Sequence, residues 1–312
     1  MPPAPRTAVV AVGGNALTRP GESGTSAELE AAADVMAVSL AALRGDGWGL
    51  AVVHGNGPQV GALSLQQDAA RELTPVQPLH ALCAMTQGQL GGLLARAVNR
   101  RAGAGSCVAL VTHVVVDPDD PAFQAPTKPI GPFFPEAQAR ELAAERDWTV
   151  AEDSGRGWRR VVPSPAPAEV LELEAVRTLL ATGLIVLAGG GGGIAVCGDG
   201  SLRGLDAVID KDATAALLAT ALGVDELHLL TGVDAVLLDH GTAQQREVHD
   251  LTAEQAREHL AAGQFPPGSM GPKVAAALAF LDAGGSRAVI TSAARLSATL
   301  AGDPDAGTRI HA

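Results

Sequence analysis

The feature that most constrains this fold is an alternation of short apolar runs with longer alanine-rich segments. The apolar runs have no polar face, which is typical of strands buried on both sides of a parallel sheet. We predict strands over residues 8–12, 50–54, 107–116, 184–188, 226–231 and 287–291. We predict helices over residues 26–44, after Pro58, and over 79–101, 168–182, 211–222, 252–262 and 270–283. The alternation indicates an α/β fold with a mainly parallel central sheet covered by helices on both sides.

One segment of roughly fifty residues, from Asp117 to Pro167, interrupts this alternation. Prolines stand at positions 118, 121, 126, 129, 132 and 135, a density that excludes a helix or an inner strand. A long excursion inside a compact fold is usually a lid or a binding loop. We therefore predict one domain over residues 1–312 with an inserted lid subdomain at 117–167. The alternative is a surface insertion with a structural or dimer-contact role.

The charge balance argues against a nucleic-acid partner, because the net charge is −12 and no basic stripe is present. With 47% hydrophobic residues among 312, the chain is long enough to bury a large core. Cys83, Cys107 and Cys197 match neither a zinc site nor a disulfide framework. The N-terminal residues resemble neither a signal peptide nor a membrane span. We expect a soluble, cytoplasmic protein that does not bind membranes.

Two glycine clusters with an embedded asparagine point to phosphate binding. Each follows a predicted strand: Gly13, Gly14 and Asn15 follow the first, and Gly55, Asn56 and Gly57 follow the second. At the carboxyl ends of parallel strands, glycine lets backbone N–H groups approach an anion closely. An asparagine amide at the same place can donate to a phosphoryl oxygen. The alternative for each cluster is a tight structural turn.

Other nucleotide-binding motifs do not fit the sequence. The chain has no Walker-type G-x-x-x-x-G-K-[ST] motif. The run GGGGGIAVCGDGS, residues 189–201, continues into an apolar stretch and a Gly-Asp-Gly turn. We interpret it as a loop and hairpin, not as the start of a dinucleotide-binding helix. His54, beside the second glycine cluster, is interpreted as a core histidine.

Lysine is rare, and its positions are informative. The chain has nineteen arginines and only three lysines, Lys128, Lys211 and Lys273. All three lie in loops or at helix starts rich in Gly, Pro or Asp. The lysine ammonium is a compact point charge suited to one phosphoryl oxygen, whereas arginine is a planar fork. We interpret the three as cations that converge on one anion, with chance survival in an arginine-biased sequence as the alternative.

Two aspartates flank Lys211 in the sequence. Asp210 is predicted to cap the helix that follows, and an acidic residue at Asp212 suits the first turn of that helix. A carboxylate between lysines would also keep them charged and fix their positions. We therefore assign a functional role to Asp212 and a capping role to Asp210.

With these residues in view, the sequence resembles the carbamate kinases of the amino-acid kinase superfamily. The segments that carry the resemblance run in family order: VGGNAL, VVHGNGPQVG, PTKPIGPFF, GWRRVVPSP, GGGGI, AVIDKDATA, LTGVDAV and GSMGPKV. Two positions depart from the pattern. Ala195 stands where proline is expected, and Val12 stands where many superfamily relatives have a lysine. The resemblance implies that Lys211 supplies that missing charge.

The resemblance implies a three-layer αβα sandwich, a protruding lid, a homodimer and Mg²⁺ that accompanies ATP or ADP. It implies reversible phosphoryl transfer between ATP and carbamate, normally toward ATP from carbamoyl phosphate and ADP. Lys128, Lys211, Asp212 and Lys273 would be catalytic, with Lys128 at the carbamate end. The implied nucleotide-binding residues are Thr231, Gly232, Val233, Asp234, Met270 and Gly271.

The nearest alternative is a superfamily kinase for another small acid, against which the TKPIGPFF segment argues. A second alternative is a non-catalytic nucleotide sensor on the same fold, against which intact Lys211, Asp212 and Lys273 argue. A dinucleotide-dependent oxidoreductase is poorly supported, for the reasons given above.

Overall fold

The computed structural model describes residues 6–13, 17–18, 21–153, 155–266 and 268–312. The predicted phosphate-binding residues Gly14 and Asn15 therefore lie outside the described residues. In chain order the strands are β1 (Thr7–Val12), β2 (Gly49–His54), β3 (Cys107–Ala109), β4 (His113–Val116), β5 (Lys128–Phe134), β6 (Thr149–Glu152), β7 (Trp158–Val162), β8 (Pro167–Val170), β9 (Ile185–Leu187), β10 (Ile194–Cys197), β11 (Glu226–Thr231), β12 (Val236–Leu238), β13 (Arg246–Val248), β14 (Asp250–Thr252), β15 (Arg287–Ser292) and β16 (Thr308–His311).

The α-helices are α1 (Ser26–Gly45), α2 (Gly57–Ala69), α3 (Leu79–Ala102), α4 (Glu136–Arg146), α5 (Leu173–Ala181), α6 (Lys211–Leu222), α7 (Ala253–Ala261), α8 (Met270–Asp282) and α9 (Leu296–Leu300). Thr25 begins α1 with a capping box, in which Thr25 and Glu28 satisfy each other's backbone N–H groups. Gly223 ends α6 in the left-handed conformation that glycine adopts without strain. Among the helices of the described residues, none is long and apolar enough to cross a membrane.

The central sheet of the described residues has eight strands in the order β14-β16-β15-β11-β1-β2-β9-β3. From β15 to β3 every neighbouring pair is parallel. Strand β16 runs antiparallel to β15, and β14 is parallel to β16. The prediction of a mainly parallel sheet between helices is confirmed.

Two predicted elements differ in extent. The strand predicted over 107–116 is two strands, because β3 belongs to the central sheet and β4 to a separate sheet in the order β10-β4-β8. The chain leaves the central sheet at Thr112, whose N–H donates to the Gln87 side chain (2.8 Å). The helix predicted over 168–182 begins only at Leu173, because residues 167–170 pair with β4.

Alternate residues of the inner strands point into two separate cores. Val9 and Ala11 of β1 pack into one core, and Ala8, Val10 and Val12 pack into the other. All five side chains are fully buried. Helices α6 and α8 cover the first core, and α1 and α3 cover the second. Burial on both faces explains why the strand sequences carry no polar alternation.

Residues between β4 and β8 build a small subdomain beside the main body. Its antiparallel sheet has the order β5-β7-β6, and α4 packs against it. The proline-rich strand β5 lies at the edge of this sheet, where a residue without an N–H group is tolerated. Its register with β7 shifts between Ile130 and Phe134, which avoids a regular ladder across Pro132.

A small third core joins this subdomain to the body. Ile130 and Val162 of the subdomain pack there with Val60, Leu82 and Val208 of the body. Beside it, the backbones of Gly61 on α2 and Gly131 on β5 are in direct contact. A Cβ atom added to Gly61 would lie 2.0 Å from the Gly131 nitrogen, so this close approach requires glycine. The subdomain therefore lies docked on α2.

Candidate active site

A cavity of ≈ 220 Å³ opens at the carboxyl ends of β1, β2 and β11, beneath the docked subdomain. This edge of a parallel sheet is where ligands bind in α/β folds. Helices α2, α6 and α8 begin at or beside the cavity, and their first N–H groups favour an anion there. The cavity lining includes these predicted site residues: Gly13, Gly55, Asn56, Gly57, Lys128, Lys211, Asp212, Thr231, Gly232 and Lys273.

Four predicted nucleotide-binding residues lie outside this lining: Val233, Asp234, Met270 and Gly271. Val233 is partly exposed, and the Asp234 carboxylate lies 3.7 Å from the Arg295 guanidinium. Met270 packs against the first core at the start of α8. Their assignment to the nucleotide therefore stays a prediction.

The centre of the site is the buried carboxylate of Asp212, which contacts two lysines. Lys273 Nζ lies 3.0 Å from one carboxylate oxygen and 3.1 Å from the other. Lys211 Nζ lies 3.0 Å from the second oxygen. Asp212 is 1% exposed and Lys273 is 5% exposed, so little water screens these contacts. Asp212 thus holds both ammonium groups together at the cavity wall.

Burial and the Asp212 carboxylate shift the pKa of each lysine in opposite directions, and the net shift differs between the two. Burial lowers the pKa of Lys273 to about 8, with the Asp212 carboxylate opposing the shift and the Lys211 cation adding to it. Burial also disfavours the charged form of Lys211. There the Asp212 and Asp210 carboxylates outweigh it, so the pKa of Lys211 is raised. Lys211 therefore keeps its charge to a higher pH, and Lys273 is the lysine that loses its proton as pH rises through about 8.

The Asp210 carboxylate has two kinds of partner, backbone N–H groups and a lysine, and only the first was predicted. One carboxylate oxygen accepts from the Asp212 and Ala213 N–H groups (2.8 and 3.3 Å), which confirms the predicted cap of α6. The other oxygen forms an ion pair with Lys128 of the subdomain. Although burial raises the pKa of Asp210, the cations of Lys128 and Lys211 hold it well below its ordinary value. Asp210 thus links the subdomain to the start of α6.

Three charged residues of the lining were not predicted from the sequence: Asp153, Arg156 and Arg159. Arg159 is almost fully buried, donates to the Gly131 carbonyl (3.0 Å) and pairs with Asp153 (3.0 Å). Arg156 also pairs with Asp153, at 3.3 Å. Arg159 belongs to the GWRRVVPSP segment, whereas Asp153 and Arg156 lie just before that segment and carried no signal of their own.

Together the cavity lining has five basic side chains and three carboxylates, an excess of two positive charges. The chain as a whole carries −12. A local positive site in an acidic protein fits a small anionic ligand, because the surrounding field does not attract polyanions.

The Asn56 side chain has a protein partner that the sequence did not predict, and its donation to a phosphoryl oxygen stays a prediction. Its amide nitrogen donates to Thr86 Oγ1 (2.9 Å) and lies 3.9 Å from Cys83 Sγ, so at least one of its two N–H groups is used inside the protein. Thr86 on α3 provides an acceptor that the sequence could not reveal. Asn56 still lines the cavity at the start of α2.

A second departure concerns the glycine loop, residues 189–193, which follows β9. A short 3₁₀ turn forms at Gly190–Gly192, and β10 follows it. Strand β10 pairs in parallel with β4. The predicted hairpin is therefore reduced to a single antiparallel bridge between Val196 and Gly204. Gly191 lines the cavity. The sequence could have predicted this position of Gly191, because the glycine run directly follows a predicted strand.

Lys273 gives the site a testable pH dependence. Its folded pKa of about 8 lies below the ordinary value of 10.5, so the cation is lost as pH rises through about 8. We expect kcat/KM, which reports the free enzyme, to fall at alkaline pH, by up to about tenfold per unit above pH 8. Bound anions favour the charged form, so kcat should hold to a higher pH.

Steady-state kinetics between about pH 6 and pH 10 test this prediction. The control is the affinity for sulfate, measured by calorimetry. Sulfate keeps its charge over this pH range, so its affinity should fall in parallel with kcat/KM if Lys273 is the group that loses its charge. A kcat/KM that stays flat throughout contradicts the role of Lys273 as a required cation.

The comparisons with known proteins agree with this geometry. A model of the amino acid kinase family matches residues 6–292. A carbamate kinase of Halobacterium salinarum is 45% identical over 97% of this chain and 97% of its own. The chain belongs to the carbamate kinases. The resemblance seen in the sequence is thereby confirmed.

Solved structures of this family have the same fold. The carbamate kinase of Giardia lamblia bound to citric acid superposes with a TM-score of 0.93 at 37% identity, over 99% of both chains. The same enzyme bound to AMP-PNP superposes with a TM-score of 0.88, at the same identity and coverage. The carbamate kinase fold predicted from the sequence is thus confirmed over nearly the whole chain.

Proposed function

We propose that the protein is an ATP:carbamate phosphotransferase, which in the cell makes ATP from carbamoyl phosphate and ADP. The observation that carries this proposal is the pair of lysines on the buried Asp212 carboxylate, at the carboxyl ends of the strands. The membership of the carbamate kinases supports the choice of carbamate over another small acid.

The lysines and backbone amides fit phosphoryl transfer without a nucleophilic side chain. In this reaction the substrate oxygen attacks phosphorus in line, and catalysis consists mainly of positioning and charge stabilisation. Lys211 and Lys273 would neutralise charge on the phosphoryl oxygens, and Asp212 would fix their positions. Gly13 and Gly55 would let the backbone approach the transferred group.

The strand order suggests how the substrates lie. Neighbouring strands are about 4.8 Å apart, and the cavity crosses the ends of β11, β1 and β2 toward the glycine loop after β9. The nucleotide would lie near Thr231, Gly232 and the start of α8. The transferred phosphoryl would then lie at the end of β1. The carbamoyl end would lie beyond β2, beneath Lys128 of the subdomain.

Mg²⁺ is proposed as the ion that accompanies the nucleotide. The described residues contain no cluster of three or more His, Cys, Asp or Glu side chains that could hold a metal. The cavity carboxylates Asp153, Asp210 and Asp212 are each paired with lysine or arginine. They fit a role in placing cations better than a role as a metal cage, so we expect the nucleotide phosphates to be the main ligands.

A homodimer is proposed from an exposed surface beside β3. This strand lies at one edge of the central sheet, and the neighbouring face of α3 exposes Met85. A Cβ atom added to Gly88 or Gly92 on that helix would meet none of the described atoms within 4 Å, and Val111 after β3 is half exposed. Sedimentation equilibrium measures the oligomeric state.

The free, buried cysteines favour a reducing compartment, and we propose the cytoplasm.

Lys128→Ala tests the proposed position of the carbamoyl end. We expect kcat/KM for carbamoyl phosphate to fall by about a hundredfold, since one preorganised cation is lost. The affinity for ADP should change less than about threefold, because Lys128 lies away from the proposed nucleotide end. Coupled kinetics and calorimetry with ADP measure the two effects.

The control for this variant is Arg140→Ala, which removes an exposed cation of the same subdomain outside the cavity. It should retain wild-type kinetics. An equal loss of ADP affinity in Lys128→Ala would contradict the assignment of Lys128 to the carbamoyl end.

A coupled assay for ATP formed from ADP and carbamoyl phosphate tests the function itself. We expect turnover with carbamoyl phosphate and little with acetyl phosphate or acylphosphates of other small acids. Preference for another acylphosphate would identify a kinase for another acid. Binding of ADP without any turnover would favour the nucleotide sensor.

A further inference from the structure

A cluster of buried polar side chains lies behind the glycine loop and has no part in the function proposed above. Its members are Gln87 on α3, Thr112 between β3 and β4, and Thr214 on α6. All three are at most 3% exposed, and none lines the cavity. Buried polar groups that contact no ligand need another reason to be there, because their desolvation is unfavourable unless they are hydrogen-bonded.

The hydrogen bonds of the cluster lead to both ends of the glycine loop. Thr112 Oγ1 accepts from the Gly189 N–H group (3.0 Å), and Thr214 Oγ1 donates to the Gly192 carbonyl (2.8 Å). Gln87 in turn fixes Thr112, because its amide pairs with both the N–H group (2.8 Å) and the carbonyl (3.0 Å) of that residue. These three side chains therefore hold the backbone of the loop by hydrogen bonds, and we call them the clamp.

The loop needs an external clamp because its own sequence does not define its shape. Gly189, Gly191, Gly192 and Gly193 all have positive φ angles, between 63° and 92°. Glycine adopts many other conformations at similar free energy, so five consecutive glycines have no strong preference of their own. Successive N–H groups in such conformations form an anion-binding concavity only while that conformation is held.

The surroundings also leave no space for side chains on the loop. A Cβ atom on Gly191 would lie 2.3 Å from Asn56 Nδ2, and one on Gly192 would lie 2.2 Å from the Ile209 carbonyl oxygen. The loop is thus pressed between the start of α2 and the segment before α6, with Gly191 at the cavity wall. Because the loop has no side chains of its own, it depends on this packing and on hydrogen bonds from its surroundings.

We propose that Thr112 and Thr214 are positioning residues, which hold the glycine loop so that the N–H groups of Gly190 and Gly191 face the carbamoyl end of the substrate. The other three N–H groups of the loop already donate, to Thr112 and to carbonyls within the loop. Gln87 acts through Thr112. This inference rests on the proposed function for the identity of the substrate, but the clamp itself does not depend on it. Thr214 lies one helical turn after Lys211, so the same helix places both the loop and the phosphoryl-binding cation.

The test uses Thr112→Val and Thr214→Val, which remove one hydroxyl each and keep the side-chain shape. We expect each to raise KM for carbamoyl phosphate about fivefold to tenfold, with KM for ADP changed less than about twofold. Thr112→Ser and Thr214→Ser retain the hydroxyl and should recover most of the loss. Thr291→Val is the matched control, because it removes a buried hydroxyl that donates to the Ala306 carbonyl away from the cavity.

Hydrogen exchange gives a second readout that needs no activity. Amides of residues 185–197 should exchange about tenfold faster in the valine variants than in the serine variants, with β1 unchanged. Unchanged exchange of the loop, or equal effects on both KM values, would overturn the clamp. If the wild type makes no ATP from carbamoyl phosphate, the proposed function fails, and the exchange result still decides the clamp.

Discussion

Asp212→Asn is expected to lower the free energy of unfolding by about 3–5 kcal/mol and to abolish most turnover. The substitution leaves the ammonium groups of Lys211 and Lys273 buried side by side without their shared carboxylate. Lys273 can relieve this repulsion by losing its proton, since its pKa is already lowered to about 8. The destabilisation should therefore be smaller at alkaline pH than at neutral pH.

Urea unfolding at two pH values, together with the ATP-forming assay, measures these effects. The control is Asp282→Asn, which breaks an exposed ion pair with Arg257 at the end of α8. An exposed pair contributes less than about 1 kcal/mol, so this variant should resemble the wild type. A similarly small effect in Asp212→Asn would show that Asp212 does not hold the two lysines.

Lys211→Arg is expected to lower kcat by about 10²–10³-fold although it conserves the charge. Lys211 reaches one oxygen of Asp212, while Lys273 contacts both. A guanidinium is a planar fork that pairs with both oxygens of a carboxylate, so it would compete with Lys273 and occupy cavity volume. The phosphoryl oxygen would then face a misplaced cation.

The fold should survive this change, with cooperative thermal unfolding retained. Arg96→Lys serves as the control, because it replaces one kind of cation by the other in an exposed ion pair with Glu30. This variant should have wild-type kinetics. Wild-type turnover by Lys211→Arg would refute the interpretation that lysine survives only where arginine fails.

Much of the fold was predictable because it depends on local pattern. Strands buried on both faces read as continuous apolar runs, and the glycine clusters after them indicated the edge where a ligand binds. Composition pointed to the lysines, since a sequence that uses arginine almost everywhere keeps Lys128, Lys211 and Lys273 at the cavity.

The remainder depended on contacts between distant parts of the chain. The ion pair of Asp210 with Lys128 joins residues 82 positions apart, and the sequence around neither residue predicts it. The Asn56 amide donates to Thr86, which offers an acceptor from another helix. Arg156 and Arg159 reach the cavity only because the subdomain docks on α2. Tertiary partners of this kind leave no periodic signal in a single sequence.

The docked subdomain has a consequence for how fast substrates bind. Ile130 and Val162 are 0% and 2% exposed in the junction with the body, and lifting β5 would expose both. Exposing these two side chains alone costs about 3–6 kcal/mol, and the Lys128–Asp210 ion pair also has to break, so an open form would be populated at about one part in 10²–10⁴ or less. Association that requires this form would be slowed by the same factor below an ordinary encounter rate of about 10⁶ M⁻¹s⁻¹. Dissociation would wait on the same opening, so bound substrate would be released more slowly than from an uncovered site.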